Sequence, residues 1–341
     1  MASQNRSKKI VIATPLYPPA IGGPSQYAKN LEQVWGGEGH QVVVVDFGKV
    51  LKWPSGIRHL IYFCKLCRAF WRADFVLILD TFSVALPAVL AGKLFGQKTV
   101  IRTGGDFLWE SYVERTSDLV LFKNFYHTCR DKFNVKERLI YNVTKFTLHH
   151  TNLIVFSTDW QKNIFIKAYG LADKNISLIE NYFGAKETGG VSSGKIFLAS
   201  TRPLKWKNHD RLNQAFALVK EKHPEVILDD VRVSYDQFIE KMKQSYAVVL
   251  VSLGDISPNL ILDAVRLKKP FIITIENGLE SRLAKIGLRV DPENIEDIRA
   301  KISSLLDEGI YNSIKEGIDK FNFTHSWTEI AEEFLALSEK I

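Results

Sequence analysis

Three cysteines in 341 residues are an odd and sparse set, so no disulfide framework organises this chain, and a reducing cytoplasm is the expected setting. Cys64 and Cys67 form a C-x2-C, but no second pair completes a tetrahedral zinc site. No pair of histidines, His149-His150 and His209 included, has helical metal spacing beside an acid, and no metal is expected. The polar start from Met1 to Lys9 lacks the apolar run of a signal peptide. The longest apolar stretch, Phe75 to Phe95, is broken by Asp80, Pro87 and Lys93 and reads as strand, turn and buried helix, not as a membrane span. Internal repeats and low-complexity segments are absent. A Gly-x-Gly-x-x-Gly fingerprint is absent too, which argues against a dinucleotide site and hence against an oxidoreductase or epimerase.

What remains is an ordinary globular composition, 46% hydrophobic and 24% charged, in a chain long enough for two domains. Charge is divided unevenly. Residues 1 to 185 hold 23 Lys+Arg against 14 Asp+Glu, a balance of +9, whereas residues 186 to 341 hold 22 against 24, a balance of −2. The first half is therefore expected to meet something anionic: nucleic acid, an acidic lipid surface or a phosphorylated substrate.

Strand and helix alternate twice. Apolar runs at Lys9–Thr14, Gln41–Asp46, Phe75–Leu79, Lys98–Arg102 and Leu153–Ser157 are separated by helical segments, the pattern of a parallel sheet covered on both faces. Gly184 to Gly194 is polar and rich in Gly and Ser, like a linker. The alternation restarts at Lys195–Ser200, Ala247–Ser252 and Pro270–Thr274, with a further strand near Val226–Val233 and a closing amphipathic helix from Thr328. The expected domains are residues 1–184, a linker at 185–194, residues 195–325, and a terminal helix at 326–341.

The most informative segment is Gly254-Asp-Ile-Ser-Pro-Asn-Leu-Ile-Leu-Asp-Ala-Val-Arg266, followed by Leu-Lys-Lys-Pro-Phe-Ile-Ile-Thr. Ser257 is expected as N-cap and Pro258 as the first helical residue, so Asn259 and Leu260 would offer free N–H groups to an anion. Asp255 stands beside that helix start and Asp263 about two turns further in. Asp263 is either a ligand-binding acid or a structural one bonded to a neighbouring backbone group or to Arg266. Upstream, Arg202-Pro-Leu-Lys-Trp-Lys-Asn-His-Asp210 places Arg202 and Lys207 five apart at a strand-to-helix turn, where open α/β sheets bind ligands; Lys205 is expected to be exposed. In the first half, Gly22 and Gly23 follow the first strand and let the backbone approach a ligand.

These elements together resemble the GT4 family of GT-B glycosyltransferases. Asp255-x7-Asp263 with Lys-Lys-Pro-Phe-Ile-Ile is similar to the family's Glu-x7-Glu and Gly-Lys-Pro-Val-Ile, with Asp for both acids and Lys268 for Gly. The 202–210 segment resembles Gly-Arg-Leu-x-x-x-Lys-Gly-x-Asp, with Asn208 for Gly, and Pro18-Pro19-x-x-Gly22-Gly23 looks like the family's entry. Arg102-Thr-Gly-Gly-Asp-Phe-Leu-Trp-Glu110 lacks the usual His of that loop; Asp106 either meets a sugar hydroxyl or caps the next helix. Asn181 resembles a turn residue before the family's linker, with a structural role expected.

The resemblance implies two Rossmann-like, doubly wound α/β domains facing a cleft, with a C-terminal helix crossing back to the first. It implies retaining sugar transfer from a nucleotide-sugar to a hydroxyl of a glycan or lipid-linked acceptor, with no cofactor. Arg202, Lys207, Asp255 and Asp106 would then be catalytic, and Gly22, Gly23, Ser257, Pro258, Asn259, Leu260 and Asp263 donor-binding. A catalytically inactive sugar-nucleotide-binding or scaffold protein of the same fold is the alternative, motivated by the Glu-to-Asp changes and the missing His. Nucleic acid drops out as a partner; an anionic membrane surface stays, through the basic and apolar Gly56–Arg72 and Lys123–Lys145.

Overall fold

The computed structural model describes residues 7–20, 22–199 and 203–341. The chain begins β1 (Lys9–Thr14), α1 (Gly23–Gly37), β2 (Gln41–Asp46), α2 (Ile57–Phe70), β3 (Phe75–Ile78), α3 (Ala85–Phe95) and β4 (Thr99–Arg102). It continues through α4 (Phe107–Thr116), α5 (Phe122–Thr128), α6 (Val135–His150), β5 (Leu153–Phe156), α7 (Asp159–Tyr169) and β6 (Ile176–Leu178). After the linker come β7 (Ile196–Ala199), α8 (His209–Lys220), β8 (Ile227–Asp229), α9 (Tyr235–Gln244), β9 (Ala247–Leu250), α10 (Asn259–Arg266) and β10 (Phe271–Thr274). The last elements are α11 (Glu280–Leu283), β11 (Leu288–Val290), α12 (Ile295–Leu305), α13 (Glu308–Lys320) and α14 (Trp327–Lys340).

Two compact units result. The first comprises the described residues up to Gly104 together with Lys132–Tyr182 and Ser326–Ile341. Its six strands are all parallel in the order β2-β1-β3-β4-β5-β6. Strands buried on both faces need apolar residues at every position, which is why β3 and β5 are the uninterrupted Phe-Val-Leu-Ile and Leu-Ile-Val-Phe. Ile10, Ile12, Phe75 and Leu77 share one core with Leu31 and Trp35 of α1 and with Ile330 and Phe334 of α14. The terminal helix is fastened there by Trp35, whose Nε1 donates to the Ala331 carbonyl at 3.2 Å.

The second unit comprises Gly105–Asp131 and Phe183–His325. Its parallel sheet runs β11-β10-β9-β7-β8 around a core that includes Phe197, Val248, Ile261, Phe271 and Ile302. The expected boundary near residue 185 therefore misses one segment: α4 and α5, early in the chain, pack with the later half. Phe122 N–H donates to the Leu253 carbonyl at 3.1 Å, and the ring of Trp109 lies 5.4 Å from that of Trp206. Strands β6 and β11, three residues each, also lay outside the apolar runs read from the sequence.

The linker is strapped down along its length. Glu187 N–H donates to the Arg266 carbonyl at 2.8 Å and Ser193 N–H to the Gln244 carbonyl at 3.2 Å. Its glycines serve close approach: a Cβ on Gly190 would sit 2.4 Å from the Lys243 carbonyl oxygen. Lys269, buried, reaches this strap and donates to the carbonyls of Gly190 and Ser245, each at 2.9 Å.

Burial, with Lys315 adding like-charge repulsion, pushes the Lys269 ammonium from its ordinary 10.5 down to about 8. Between those two values the unfolded chain binds the proton that the folded one has released, so stability rises with pH across that window. Wild type is expected to gain stability relative to Lys269→Met between about pH 8 and 10.5, measured by denaturant unfolding at constant ionic strength; parallel curves for the two proteins would refute it.

Candidate functional site

In an open parallel sheet, loops gather at the carboxyl ends of the strands, and a crevice opens where the strand order reverses. In the second unit that point lies between β7 and β9, since β8 pairs on one side of β7 and β9 on the other. Leu253 N–H, after β9, donates to the Trp206 carbonyl, after β7, at 2.9 Å. Asp255 N–H donates to the Glu276 carbonyl, after β10, at 2.9 Å. The three loops are thus tied edge to edge.

This knot brings Lys207 and Asp255 together. The Lys207 Nζ lies 2.7 Å from an Asp255 carboxylate oxygen, with side chains only 12% and 15% exposed. The same ammonium sits 4.2 Å from the centre of the Trp206 ring, so it is held by an anion and a π face at once. Lys207 ends a short 3-10 turn, and Asn208 follows in the left-handed conformation at φ 65°. Its side-chain amide donates to the carbonyls of Val251 and Pro292 at 3.0 and 2.7 Å, which fixes the entry to α8. Arg202 lies outside the described residues. Lys205 is exposed, as expected, yet tied: its backbone N–H donates to Glu114 at 2.7 Å and its Nζ to the Ser117 hydroxyl at 2.7 Å.

The helix start after Asp255 needs a correction. Pro258, with ψ 100°, is itself the N-cap, because its carbonyl already accepts from Ile261 and Leu262; the first helical residue is Asn259. Ser257 stands one position too early to cap, and its buried hydroxyl makes no hydrogen bond among the described residues. No side chain caps α10, so its first N–H groups keep no side-chain acceptor. Asn259 is exposed and Leu260 half-buried.

Asp263 belongs to a network. One carboxylate oxygen accepts from Arg266 at 3.0 Å, the Tyr235 hydroxyl donates to the carboxylate at 3.1 Å, and Arg266 also pairs with Glu187. Burial raises its pKa, and the charge and hydrogen bond of Arg266 oppose the rise. The Tyr235 hydroxyl is pushed to about 12, by burial first and then by Asp263. These are the partners of the structural reading of Asp263.

Asp106 is buried, and each of its oxygens accepts a hydrogen bond. Its Oδ1 caps α4 by accepting from the Trp109 N–H at 2.9 Å, and its Oδ2 accepts from the Tyr126 hydroxyl at 2.5 Å. Burial raises its pKa against those bonds. With one bond on each oxygen, Asp106 caps α4 and ties it to α5, the capping role that was one of its two expected readings.

Sequence reasoning missed a second pair. Glu276 is buried, burial raises its pKa, and Lys123 of α5 opposes that rise from 2.5 Å. The other Glu276 oxygen has no hydrogen-bond partner among the described residues. An acid two residues past a strand end was a readable signal. Lys123, brought in by α5, had none.

In the first unit, Gly22 and Gly23 open α1 at the carboxyl end of β1, and a Cβ on Gly23 would meet nothing within 4 Å. At the end of β4, the buried Arg102 lies over the Tyr27 ring at 4.2 Å and donates to Asn181 at 2.5 Å. Asn181 therefore has the structural role expected of it. Among the described residues no group of three or more His, Cys, Asp or Glu side chains is placed to hold a metal ion.

No family model matches the chain, and no curated protein does. Solved structures match over nearly the whole length. HepE of Anabaena, in complex with UDP and glucose, has 13% identity and a TM-score of 0.66, with 98% of this chain and 100% of that chain covered. Sucrose-phosphate synthase of Thermosynechococcus elongatus has 13% identity and a TM-score of 0.70, covering 98% and 99%. The lipopolysaccharide outer core galactosyltransferase WaaB has 15% identity and a TM-score of 0.62, covering 98% and 100%. The chain has the GT-B fold of these glycosyltransferases.

Gly254, just before Asp255, gives the site a sharp test. A Cβ there would lie 2.5 Å from the Phe122 Cβ and 3.2 Å from the Trp109 ring, and a Cβ so near a helix backbone cannot swing aside. Gly254→Ala is expected to cost about 1–3 kcal/mol by overpacking. It should also alter tryptophan emission, because Trp109 must shift; unchanged unfolding and emission would show that α5 does not seat there.

Proposed function

We propose that this chain is a retaining glycosyltransferase of GT4 type, which moves a sugar from a nucleotide-sugar to a hydroxyl of a glycan or lipid-linked acceptor without a metal. The observation that carries the reading is the Lys207–Asp255 pair beside the side-chain-free start of α10, at the switch point of the second sheet. Anions bind where N–H groups and a lysine converge, and a sugar hydroxyl binds a carboxylate. Structures of HepE with UDP and with UDP-glucose support a uridine nucleotide-sugar as the first donor to try.

Departure of the diphosphate is the hard step. Negative charge grows on the leaving oxygens, so Lys207, Arg202 and the N–H groups of Asn259 and Leu260 would act more strongly in the transition state than in the ground state. Asp255 would orient the donor sugar once Lys207 turns to phosphate. The Gly22-Gly23 loop would meet both donor and acceptor, as the resemblance implies. Asp263, already bonded to Arg266 and Tyr235, would meet the ribose through its remaining lone pairs.

Loss of one charge-assisted bond of this kind is worth roughly 1.5–3 kcal/mol. Lys207→Ala is therefore expected to lower kcat/KM by about ten- to a hundredfold, part of it in kcat, with Lys207→Arg recovering some of the loss. Lys205→Ala should lower stability and leave kcat/KM near wild type. Equal losses for the lysines at 205 and 207, or no thermal shift with UDP, GDP, ADP or TDP in the folded wild type, would sink the assignment.

Asp263→Asn separates its two roles. If the carboxylate bonds the ribose, wild type prefers ribose over 2′-deoxyribose donors and the variant loses that preference. A variant that is less stable but keeps the ratio would leave Asp263 as structure only.

A further inference from the structure

Between Phe47 and Ala73 the chain has six Lys/Arg and no Asp or Glu. α2 occupies most of that run. At 3.6 residues per turn, Tyr62, Leu66 and Phe70 form its inner face and are buried, which leaves Ile57, Leu60 and Cys64 on the outer face, all exposed. Leu60 and Trp71 are each 64% exposed, and Leu51 and Trp53 in the preceding loop are also exposed. α3, which packs beside α2, exposes Leu90 and Leu94, the latter at 66%. Large apolar side chains gathered this way mark an interaction surface. Around them Lys49, Lys52, Lys65, Arg68 and Arg72 are exposed, and no ion pair among the described residues engages any of the five.

Beside this face, between the edge strand β2 and α2, lies an open groove of about 450 Å³ lined by Lys9, Lys49, Lys65, Arg68 and one acid, Asp46. Asp46 is occupied in part by the Gly48 N–H at 2.7 Å, and Lys9 by the Trp71 carbonyl at 2.6 Å. Lys49, Lys65 and Arg68 are left to face solvent.

We propose that this face docks the protein on an anionic lipid bilayer. α2 lies in the plane of the interface, with Leu51, Trp53, Leu60 and Trp71 at the acyl boundary and Lys49, Lys65 and Arg68 at the headgroup phosphates. Cationic charge in excess, with Asp46 the one acid in the groove, selects an anionic partner, the tryptophans favour the interfacial zone, and the apolar stripe favours a bilayer over a soluble polyanion. No helix among the described residues is long and apolar enough to cross a membrane, so the contact is peripheral. The surface belongs to the first unit, uses none of the residues assigned to transfer and does not depend on that assignment.

The test uses the full chain and vesicles of phosphatidylcholine alone or with about one-third phosphatidylglycerol, at low and high salt. Wild type is expected to bind the anionic vesicles at least about tenfold more tightly, to weaken as salt rises, and to shift tryptophan emission to shorter wavelength. Leu60→Ser with Trp71→Ser, and separately Lys65→Glu with Arg68→Glu, should each lose roughly tenfold or more of that affinity. All four side chains are exposed, so circular dichroism and the nucleotide-induced thermal shift should stay as in wild type. Equal binding to both vesicles, full binding by the Leu60/Trp71 variant, or binding to heparin without binding to vesicles would overturn the proposal. None of those outcomes would touch donor turnover, which is measured without vesicles.

Discussion

The 2.7 Å bond between Lys207 and Asp255 is the interaction on which the second unit's site depends. Both groups are mostly withdrawn from water, where an unpaired charge is strongly disfavoured, so each requires the other. The requirement reaches outward. Lys207 is in place because Trp206 gives its carbonyl to Leu253, and Asp255 because its N–H is bonded to the loop after β10. A diphosphate would enter as a competitor for an ammonium already satisfied. In the function we propose, Lys207 would already stand close to its working position, and Asp255 would be released toward a hydroxyl when phosphate takes the lysine.

A second pair, the exposed Lys123 with the buried Glu276, repeats part of the logic one loop further on. Its lysine comes from a segment that the chain order assigns to the other half. Tying α4 and α5 to the second unit takes several contacts of different kinds: the Trp109–Trp206 ring contact, the Phe122 N–H bond to Leu253, and a glycine at 254 small enough to admit Phe122. Asp106 supports all of them from beneath, as cap and as acceptor for Tyr126. A residue expected either to meet a sugar hydroxyl or to cap a helix does cap α4 and also ties in α5, the helix that brings Lys123 in.

How much of this was legible follows from the range of each interaction. β1 and β2 were readable at their true ends, since an apolar run between polar turns is a local signal. Lys207 and Asp255 were readable as members of one site, though not as an ion pair, because each lies in a loop that follows a strand and parallel strands deliver those loops to one edge. The role of Pro258 was not, because Ser-Pro suits a cap at either residue and only the backbone angle decides. Gly184 to Gly194 looked like a free linker by composition, yet Gly189 and Gly190 let the carbonyls of Leu267 and Lys243 come near. Lys123–Glu276 spans 153 positions, and no local pattern announces such a contact.

The two departures from the family pattern at glycine positions have a common physical sense. Asn208 and Lys268 stand where the resemblance has Gly, and both adopt positive φ, 65° and 57°. That region is open to glycine and disfavoured for other residues, with asparagine the mildest exception. At 208 the strain is offset, because the asparagine side chain makes two bonds that glycine lacks, to Val251 and to Pro292, and these bind the loop after β7 to those after β9 and β11. At 268 the compensation is thinner: Lys268 pairs with Asp319 at 3.2 Å, and both side chains remain substantially exposed. At both points the backbone takes a left-handed turn without the glycine that would make it cheap. Such a turn is held by its surroundings, and at 208 those surroundings are the loops that build the candidate site.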